Sequence, residues 1–561
     1  MLKSIPGIIF IVFLFISCQT KSNSTLVLLN GKIITVNKNF DIQEAVVCAG
    51  DKIIFTGSSE EAKTYIGENT KVIDLKGKVV LPGLSDAQGH MLQLGSQLTY
   101  LDISHAKSFN EVVEIVRERV KNCEQGEWIL GGRWDENNWK DTDFPSHELL
   151  SKVSPDNPVF LDRVDGYAAL VNKKAMELSG ITKETATPFG GNIIRDKKDQ
   201  PTGVLINRAM NIVKNIIPVE TDSSYKVKIL RAVDNCLKVG LTSWQEIGAS
   251  PYEITLFKDL IDEHKLKMRT VVFLGRKEDP LIKGDLEKYF SKYRMENYGD
   301  HHLSVTGIQL HFDGSVGSRG AAMYEPYLDD PQNMGLLRMP PDYVLKVAEA
   351  GLKTNMIVNT SCIGTRGNHI CLEKYEEALH NYEKGDYRFR ITHAQILLPE
   401  DISKFAKLKV IPSMQPIHAT SDKRFVEKRL GKKRMKGAYA WRSLIDSGSI
   451  IACGSDFPVE SNNPFKGIYA AVTRQDEEGN PPDGWYPEQC MTIEEAIKGY
   501  TIWASYAVFQ DNILGSIEIG KLADLTVIDR DLLTINSKDI PATNVIYTIV
   551  GGKIVYYSND N

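Results

Sequence analysis

The chain has 561 residues, of which 42% are hydrophobic and 25% are charged, and its formal net charge at pH 7 is −5. A chain of this length and composition can build a large core and more than one structural unit. The small negative charge and the absence of a long basic block argue against nucleic acid as a partner.

The N-terminus has the pattern of a bacterial secretory signal. An apolar run over 5–16 follows a single lysine and ends just before Cys18. The run is too short for a comfortable membrane span, so we interpret residues 1–18 as a signal peptide. Its last four residues resemble a lipobox, which would make Cys18 the lipidated first residue of the mature chain and residues 19–25 a tether. The alternative is an ordinary secretory signal with an incidental cysteine.

This pattern predicts a location as well as a membrane contact. We expect a protein of the bacterial cell envelope, held to a membrane by its N-terminal lipid and facing the periplasm, with exposure at the cell surface also compatible. The seven cysteines after Cys18 are odd in number, and no pair has the spacing of metal ligands. Neither a disulfide framework nor a zinc knuckle is therefore predicted.

Short apolar runs alternate with turns at both ends of the chain. Over 26–80 the turn Asn30-Gly31 separates two such runs, which is a strong hairpin signal. The same alternation returns over 512–558. We predict that both end segments are all-β.

Between these ends, over 81–511, strand-like runs alternate with amphipathic helix-like runs. This alternation indicates repeated β/α units and an α/β fold. Predicted helices include 109–120, 224–239, 342–352 and 493–500, and predicted strands include 242–244, 305–312, 357–358, 391–393, 410–412 and 450–453. In a (β/α)₈ barrel the catalytic residues follow the carboxyl ends of the strands, so the residues after these runs are the candidates.

The segment 82–90 follows an apolar run and carries a resemblance. It resembles the amidohydrolase superfamily, whose first barrel strand ends in Pro-Gly-x-x-Asp-x-His-x-His. This sequence has Gln88 where the first histidine should stand and keeps His90. Later landmarks, among them Gly454-Ser455-Asp456, resemble the amidohydrolase-3 family, of the N-substituted formamide deformylase type.

The resemblance covers nearly the whole chain and implies an architecture. It implies a (β/α)₈ TIM-like barrel over 81–511 beside a small composite β-sandwich formed by both chain ends. The two parts of the sandwich would be 26–80 and 512–558. A segment at about 122–220 resembles the insertion that this family places between its first barrel strands.

The resemblance also implies a metal centre, most of which this sequence has lost. Gln88, Gln309 and Ser361 stand where two histidines and a metal-bridging lysine are expected. A neutral amide oxygen is a weak ligand for transition metals, and glutamine cannot be carboxylated. We therefore expect no binuclear centre, and either no metal or one zinc-like divalent ion. The surviving ligand positions are His90, His393 and Asp456.

Other residues in the family's pocket motifs are candidates for substrate binding. Arginine forks suit carboxylate groups, and His311 would project from the same strand face as Gln309. Tyr167 stands where the family has a histidine, which makes it a candidate proton donor or acceptor. The predicted substrate-binding residues are Arg163, Arg319, Arg366, Gln88, Gln309 and His311.

Three functions fit this pattern of losses. The first is acid/base elimination, by a lyase or dehydratase, on a small acidic carbohydrate or oligosaccharide, with His393 and Tyr167 as the acid/base pair and Asp456 assisting. The second is a mononuclear metal-dependent hydrolase of C–N bonds in amides or formamides. The third is a barrel that binds a small molecule without catalysis. The intact motif lengths and the neutral polar replacements favour a reworked enzyme, and we take elimination as the leading hypothesis.

Overall fold

The computed structural model describes residues 24–136, 139–140, 143–164, 168–275, 284–382 and 385–558. Cys18, the predicted signal peptide and Tyr167 lie outside the described residues. Within the described part of the chain, no helix is both long enough and apolar enough to cross a membrane.

The first part of the chain forms strands. They are β1 (Leu26–Leu29), β2 (Lys32–Ile34), β3 (Ile42–Gln43), β4 (Ala45–Ala49), β5 (Lys52–Gly57), β6 (Lys71–Asp74) and β7 (Val79–Pro82), with helix α1 (Ser59–Lys63) after β5. In β1, Leu26 and Leu28 belong to one apolar cluster, and Val27 and Leu29 belong to another. This follows from the two-residue period of a strand, and it makes β1 buried on both faces.

The first barrel strand and an inserted sheet come next. The elements are β8 (Leu84–Gly89), α2 (Met91–Thr99), β9 (Leu101–Asp102), α3 (Phe109–Val120), β10 (Ile129–Trp134), α4 (His147–Val153), β11 (Val159–Arg163), β12 (Ala168–Val171), α5 (Lys173–Ser179), β13 (Gly191–Arg195), β14 (Pro201–Asn207) and α6 (Met210–Lys214). Strands β9 to β14 form one sheet in the order β13-β14-β12-β11-β10-β9. This sheet begins earlier in the chain than the predicted insertion at about 122–220.

The remaining barrel elements follow in β/α alternation. They are α7 (Asp222–Lys238), β15 (Leu241–Ala249), α8 (Pro251–Asp262), β16 (Arg269–Leu274), α9 (Leu286–Tyr293), β17 (Met295–Asn297), α10 (Tyr298–His301), β18 (Leu303–His311), α11 (Pro341–Thr354), β19 (Ile357–Cys362), α12 (Thr365–His380), β20 (Arg390–His393), α13 (Ile402–Leu408), β21 (Ile411–Met414), α14 (Pro416–Asp422), α15 (Val426–Leu430), α16 (Trp441–Asp446), β22 (Ala452–Cys453), α17 (Pro464–Thr473), α18 (Ile493–Gly499) and α19 (Ile502–Tyr506).

Three strands end the described chain and return to its beginning. They are β23 (Leu525–Ile528), β24 (Val545–Val550) and β25 (Lys553–Tyr557). Strand β23 pairs antiparallel with β7, with Val527 opposite Val80, and both side chains lie in the apolar cluster shared by the two end sheets. These sheets have the orders β5-β4-β1-β6 and β25-β24-β23-β7-β2-β3. The two ends of the chain therefore build one composite β unit.

The barrel consists of eight parallel strands in the order β8-β15-β16-β18-β19-β20-β21-β22. It closes between β8 and the loop after β22, where Asp456 N donates to Gln88 O at 2.8 Å and His90 N donates to Phe457 O at 2.9 Å. A Cβ on Gly89 would lie 2.2 Å from the Phe457 ring, so this closure requires glycine. The predicted α/β class and (β/α)₈ barrel are thus confirmed.

Arg390 joins several strands inside the barrel, below the site. Its guanidinium donates to Ala87 O at 2.9 Å, to Ser413 Oγ at 2.7 Å and to Gln245 Oε1, and it lies 4.7 Å from the Phe273 ring centroid. These partners come from four other strands. Because a buried cation needs fixed acceptors, this contact set holds the register of the strands beneath the site.

Candidate active site

The carboxyl ends of the barrel strands surround a cavity of about 730 Å³. This is the end of a (β/α)₈ barrel at which catalytic residues are expected. Of the residues predicted from the sequence, Gln88, His90, Gln309, His311, Ser361, His393 and Asp456 all line it. The barrel therefore brings together side chains from β8, β18, β19, β20 and the loop after β22.

One side of the cavity carries a histidine between two carboxylates. His90 Nε2 lies 3.0 Å from Asp456 Oδ1, and His90 Nδ1 lies 3.8 Å from Glu246 Oε1. Burial lowers the pKa of His90, but hydrogen bonds to Asp456 and Glu246 outweigh that effect and raise it to about 10. Burial alone would raise the pKa of Asp456, yet the hydrogen bond and charge of His90 hold it well below its usual value. The pair is therefore ionised at neutral pH.

His393 is a neutral histidine in the same cavity. Burial lowers its pKa to about 4. Its Nδ1 lies 2.8 Å from Gln415 Oε1, and its ring stacks on His418 with centroids 5.7 Å apart. Because an amide oxygen only accepts, Nδ1 is the donor and Nε2 is left without a proton. His418 Nε2 is buried and has no hydrogen-bond partner among the described residues.

A neutral hydrogen-bonded group occupies the neighbouring strands. Asn359 Nδ2 donates to Gln309 Oε1 at 2.5 Å, and Thr392 Oγ1 donates to Asn359 Oδ1 at 2.8 Å. Gln309 Nε2 donates to Leu310 O at 2.9 Å. The position at which the resemblance expects a lysine, Gln309, is thus filled by an amide that belongs to a hydrogen-bonded group of amides and a hydroxyl.

Two of the candidate residues have unusual backbone conformations. His393 has φ 69° and Asp456 has φ 59°, in the left-handed region that residues other than glycine rarely adopt. His393 ends β20, and Asp456 lies three residues after the end of β22. Such conformations persist where the surroundings hold them, and they cluster at functional sites.

The side chains at this site do not fit a metal ion as they are arranged. Asp456 Oδ1 accepts a hydrogen bond from Gln88 Nε2 at 2.7 Å as well as its contact with His90. Among the described residues, no three His, Cys, Asp or Glu side chains are grouped so that they could hold an ion. The glutamine at position 88 supplies a donor where a metal ligand would supply a lone pair.

The three arginines predicted to bind substrate do not line the cavity. Arg163 Nε donates to Glu136 Oε2 at 2.8 Å in the inserted sheet, and Arg319 Nη2 donates to Asp329 Oδ2 at 2.7 Å in a surface loop. Arg366 Nη2 donates to Gly335 O at 3.3 Å, and this arginine also does not line the cavity. The structure does not bring these three guanidinium groups to the site, because each is held by partners outside it.

Several residues that line the cavity carried no predicted role. Glu246 lies in β15, beyond the end of the predicted strand 242–244. His418 lies in α14, three residues after Gln415. The cavity also has two arginines, Arg338 and Arg424. Its carboxyl groups belong to six residues, which are Glu246, Glu253, Asp313, Asp422, Asp456 and Glu460.

Comparisons with known proteins agree with this geometry. A model described as "Amidohydrolase family" matches residues 71–556. The chain is 32% identical over 546 residues to Protein LONG AFTER FAR-RED 3 of Arabidopsis thaliana, covering 95% of this chain and 91% of that protein. It is 25% identical over 550 residues to N-substituted formamide deformylase of Arthrobacter pascens, covering 95% and 98%.

A solved structure matches over a similar span. It is the crystal structure of an uncharacterized metal-dependent hydrolase from Pyrococcus furiosus, with a TM-score of 0.70 and 27% sequence identity. The match covers 91% of this chain and 100% of that chain. The similarity therefore includes the barrel, the inserted sheet and the end sheets together.

Proposed function

Because this chain belongs to the amidohydrolase family, we propose that it is a hydrolase that cleaves the C–N bond of a small amide by proton transfer at His393. One observation carries the proposal: two histidines of this cavity have opposite surroundings. His393 Nδ1 faces an amide oxygen, Gln415 Oε1, at 2.8 Å, and burial lowers the pKa of His393, whereas His90 lies 3.0 Å from the Asp456 carboxylate, which raises the pKa of His90. Acid/base chemistry requires such a difference between neighbouring groups. The name of the relative N-substituted formamide deformylase supports an amide as the substrate class.

His393 is the proposed base and then the acid. A water molecule attacks the carbonyl carbon while His393 Nε2 takes one of its protons. The C–N bond then breaks, and the same imidazole returns the proton to the departing nitrogen. The products are a carboxylic acid and an amine, and proton transfer by a positioned imidazole contributes about 10²- to 10⁴-fold in rate.

Asp456 and Arg338 have supporting roles in this proposal. The hydrogen bonds from Gln88 and His90 both go to Asp456 Oδ1, so we assign Oδ2 to the attacking water as its acceptor. Arg338 lines the same cavity, and we assign its guanidinium to the negative charge that develops on the carbonyl oxygen. His90 balances the buried charge of Asp456 and keeps that carboxylate ionised.

The charges that line the cavity favour a neutral or cationic substrate. Six residues there carry carboxyl groups, whereas the cationic side chains are Arg338, Arg424 and His90. Some of the acids are already occupied: Asp422 accepts from Tyr439 Oη at 2.7 Å, and Glu460 accepts from Ser421 Oγ at 2.6 Å. A substrate carboxylate would still meet an acidic wall, which argues against the predicted acidic sugar.

The test is release of amine from small N-substituted formamides and amides by the purified mature protein. We expect turnover that a chelator leaves unchanged and that His393→Asn lowers on the order of 10²-fold or more. His369→Asn is the matched control, because His369 lies outside the cavity with Nδ1 3.0 Å from Asp401. Loss of turnover with chelator and its return with zinc would replace this proposal by metal-dependent hydrolysis.

Elimination is the second candidate function. The stacking of His393 on His418 favours it, because two imidazoles 5.7 Å apart could serve as the base and the acid without a metal. Incubation with acidic oligosaccharides would then give a new C=C absorbance and no amine. Binding of a ligand with neither product would favour a non-catalytic barrel.

A further inference from the structure

We propose that Gln88 and Gln415 are positioning residues that fix the tautomer of His393 through a directional chain of hydrogen bonds starting at Asp456. Gln88 Nε2 donates to Asp456 Oδ1 at 2.7 Å, and Gln415 Nε2 donates to Gln88 Oε1 at 3.0 Å. Gln415 Oε1 then faces His393 Nδ1 at 2.8 Å. The role of these hydrogen bonds in catalysis rests on the proposed function. The hydrogen bonds themselves do not depend on it.

Oxygen acceptors at both amides set the direction of these bonds: Asp456 Oδ1 accepts from Gln88 Nε2, and the backbone carbonyl of Ser413 accepts from Gln415 Nε2 at 3.3 Å. Asp456 can only accept, so Gln88 must turn its NH₂ group toward it and its oxygen toward Gln415. Gln415 must then present its NH₂ group to Gln88 and its oxygen to His393. An amide oxygen accepts from an N–H, so the proton of the neutral imidazole is placed on Nδ1 and the lone pair on Nε2.

Burial of the two glutamines opposes other orientations of their amide groups. Gln88 and Gln415 are each only 3% exposed, so bulk water cannot replace a missing partner. A buried polar group without a partner costs about 1–3 kcal/mol, which opposes a flip of either amide. The hydrogen bonds described for the neighbouring group of Gln309, Asn359 and Thr392 join amide, hydroxyl and backbone groups, so they impose no direction on a titratable ring.

The consequence for catalysis concerns which nitrogen is the base. The opposite tautomer would carry its proton on Nε2 and offer its lone pair to Gln415 instead of the cavity. These hydrogen bonds thus hold the Gln415 oxygen toward His393 and place the imidazole proton on Nδ1. Breaking them should lower kcat, on the order of 10-fold, and leave KM unchanged, because substrate binding does not depend on the tautomer.

The experiment reads the tautomer directly by two-bond ¹H–¹⁵N spectra of protein labelled at its 11 histidines. The loss of one signal set in His393→Asn assigns the residue. In the full-length mature protein we expect His393 with a proton on Nδ1 and a bare Nε2. In Gln415→Met we expect the Nδ1–H form to become the minor one. Gln88→Met removes the other amide of this hydrogen-bond series, so it tests the same tautomer if Gln415→Met does not fold.

Gln395→Met is the matched control. Gln395 is another buried glutamine of this cavity, but its Nε2 donates to Asp422 Oδ2 at 2.9 Å and to Tyr439 Oη at 2.6 Å. We expect this variant to leave the His393 signals in place. A proton on Nε2 in the unmodified protein, or an unchanged pattern in Gln88→Met and Gln415→Met, would overturn the inference. The expected tautomer without any amide hydrolysis would leave the inference standing and reject only the proposed function.

Discussion

Two adjacent parts of the barrel mouth pair their polar side chains in different ways. We call the first the charged sector, formed by His90, Glu246 and Asp456, and the second the neutral sector, formed by Gln309, Asn359 and Thr392. In the charged sector, His90 lies 3.0 Å from Asp456 and 3.8 Å from Glu246. The neutral sector contains amide and hydroxyl groups that donate and accept in turn. Both are buried, yet only the first can supply a charge.

The difference shows where the site can change without destabilising the barrel. A buried charge is tolerated only with a partner, so removing one member of the charged sector leaves another uncompensated. In the neutral sector Gln309, which stands at a lost ligand position, accepts from Asn359, and Asn359 accepts from Thr392. Of the two sectors, only the charged one therefore contains acidic and basic side chains.

Asp456→Asn tests the charged sector and should have the largest effect. It removes the charge that holds His90 as a cation and the acceptor that directs Gln88. We expect amide turnover to fall on the order of 10²-fold or more, with KM changed much less. Steady-state kinetics would show this. Equal turnover in the variant and the unmodified protein would remove the charged sector from the mechanism.

Arg338→Ala separates arginines inside the cavity from those outside it. We expect a loss in kcat/KM on the order of 10- to 10²-fold, because the guanidinium is assigned to the developing oxyanion. Arg319→Ala is the control, since Arg319 is bound to Asp329 in a surface loop and should leave the kinetics unchanged. A larger effect from Arg319→Ala would contradict the placement of the substrate in the barrel mouth.

Gln309→Leu tests whether the neutral sector is structural. The change leaves the buried Asn359 Nδ2 without its acceptor, so we expect unfolding free energy to fall by about 1–3 kcal/mol. Denaturant unfolding at constant m-value measures this loss. Turnover per folded molecule should stay close to that of the unmodified protein. A large loss of turnover with normal stability would place Gln309 among the catalytic residues.

Cys18→Ala should affect neither sector. The N-terminal pattern predicts that Cys18 is lipidated, so we expect this variant to leave the membrane fraction or to remain unprocessed, with its intrinsic turnover preserved. Fractionation of cells followed by immunoblotting checks the location. Unchanged membrane association would mean that Cys18 is not the anchor.

The sequence predicted the barrel and the main members of the charged sector because motif residues follow strands. Once β8 and the loop after β22 were placed in a barrel, Gln88, His90 and Asp456 had to converge. Glu246 was missed because the predicted strand 242–244 was too short, whereas β15 extends to Ala249. A strand boundary depends on packing against its neighbours, which one sequence does not display.

Side-chain partnerships were the other part that the sequence did not predict. The bond between Gln415 and Gln88 joins residues from different strands, and it depends on the register of the whole barrel. Arg163 was predicted in the pocket, but Asp135 and Glu136 follow a neighbouring strand and bind it in the inserted sheet. The residue types predicted which side chains are charged or polar. Which of them contact one another depends on the fold.

The pairing of β7 with β23 has a consequence for how the chain matures. Val80 in the N-terminal part meets Val527 near the other end, so one edge of β7 stays open during synthesis until the last strands leave the ribosome. We expect the end sheets to form last and the nascent chain to remain incompletely folded until then. For a polypeptide that is predicted to be exported, this delay would keep it in a form that a translocation channel can accept.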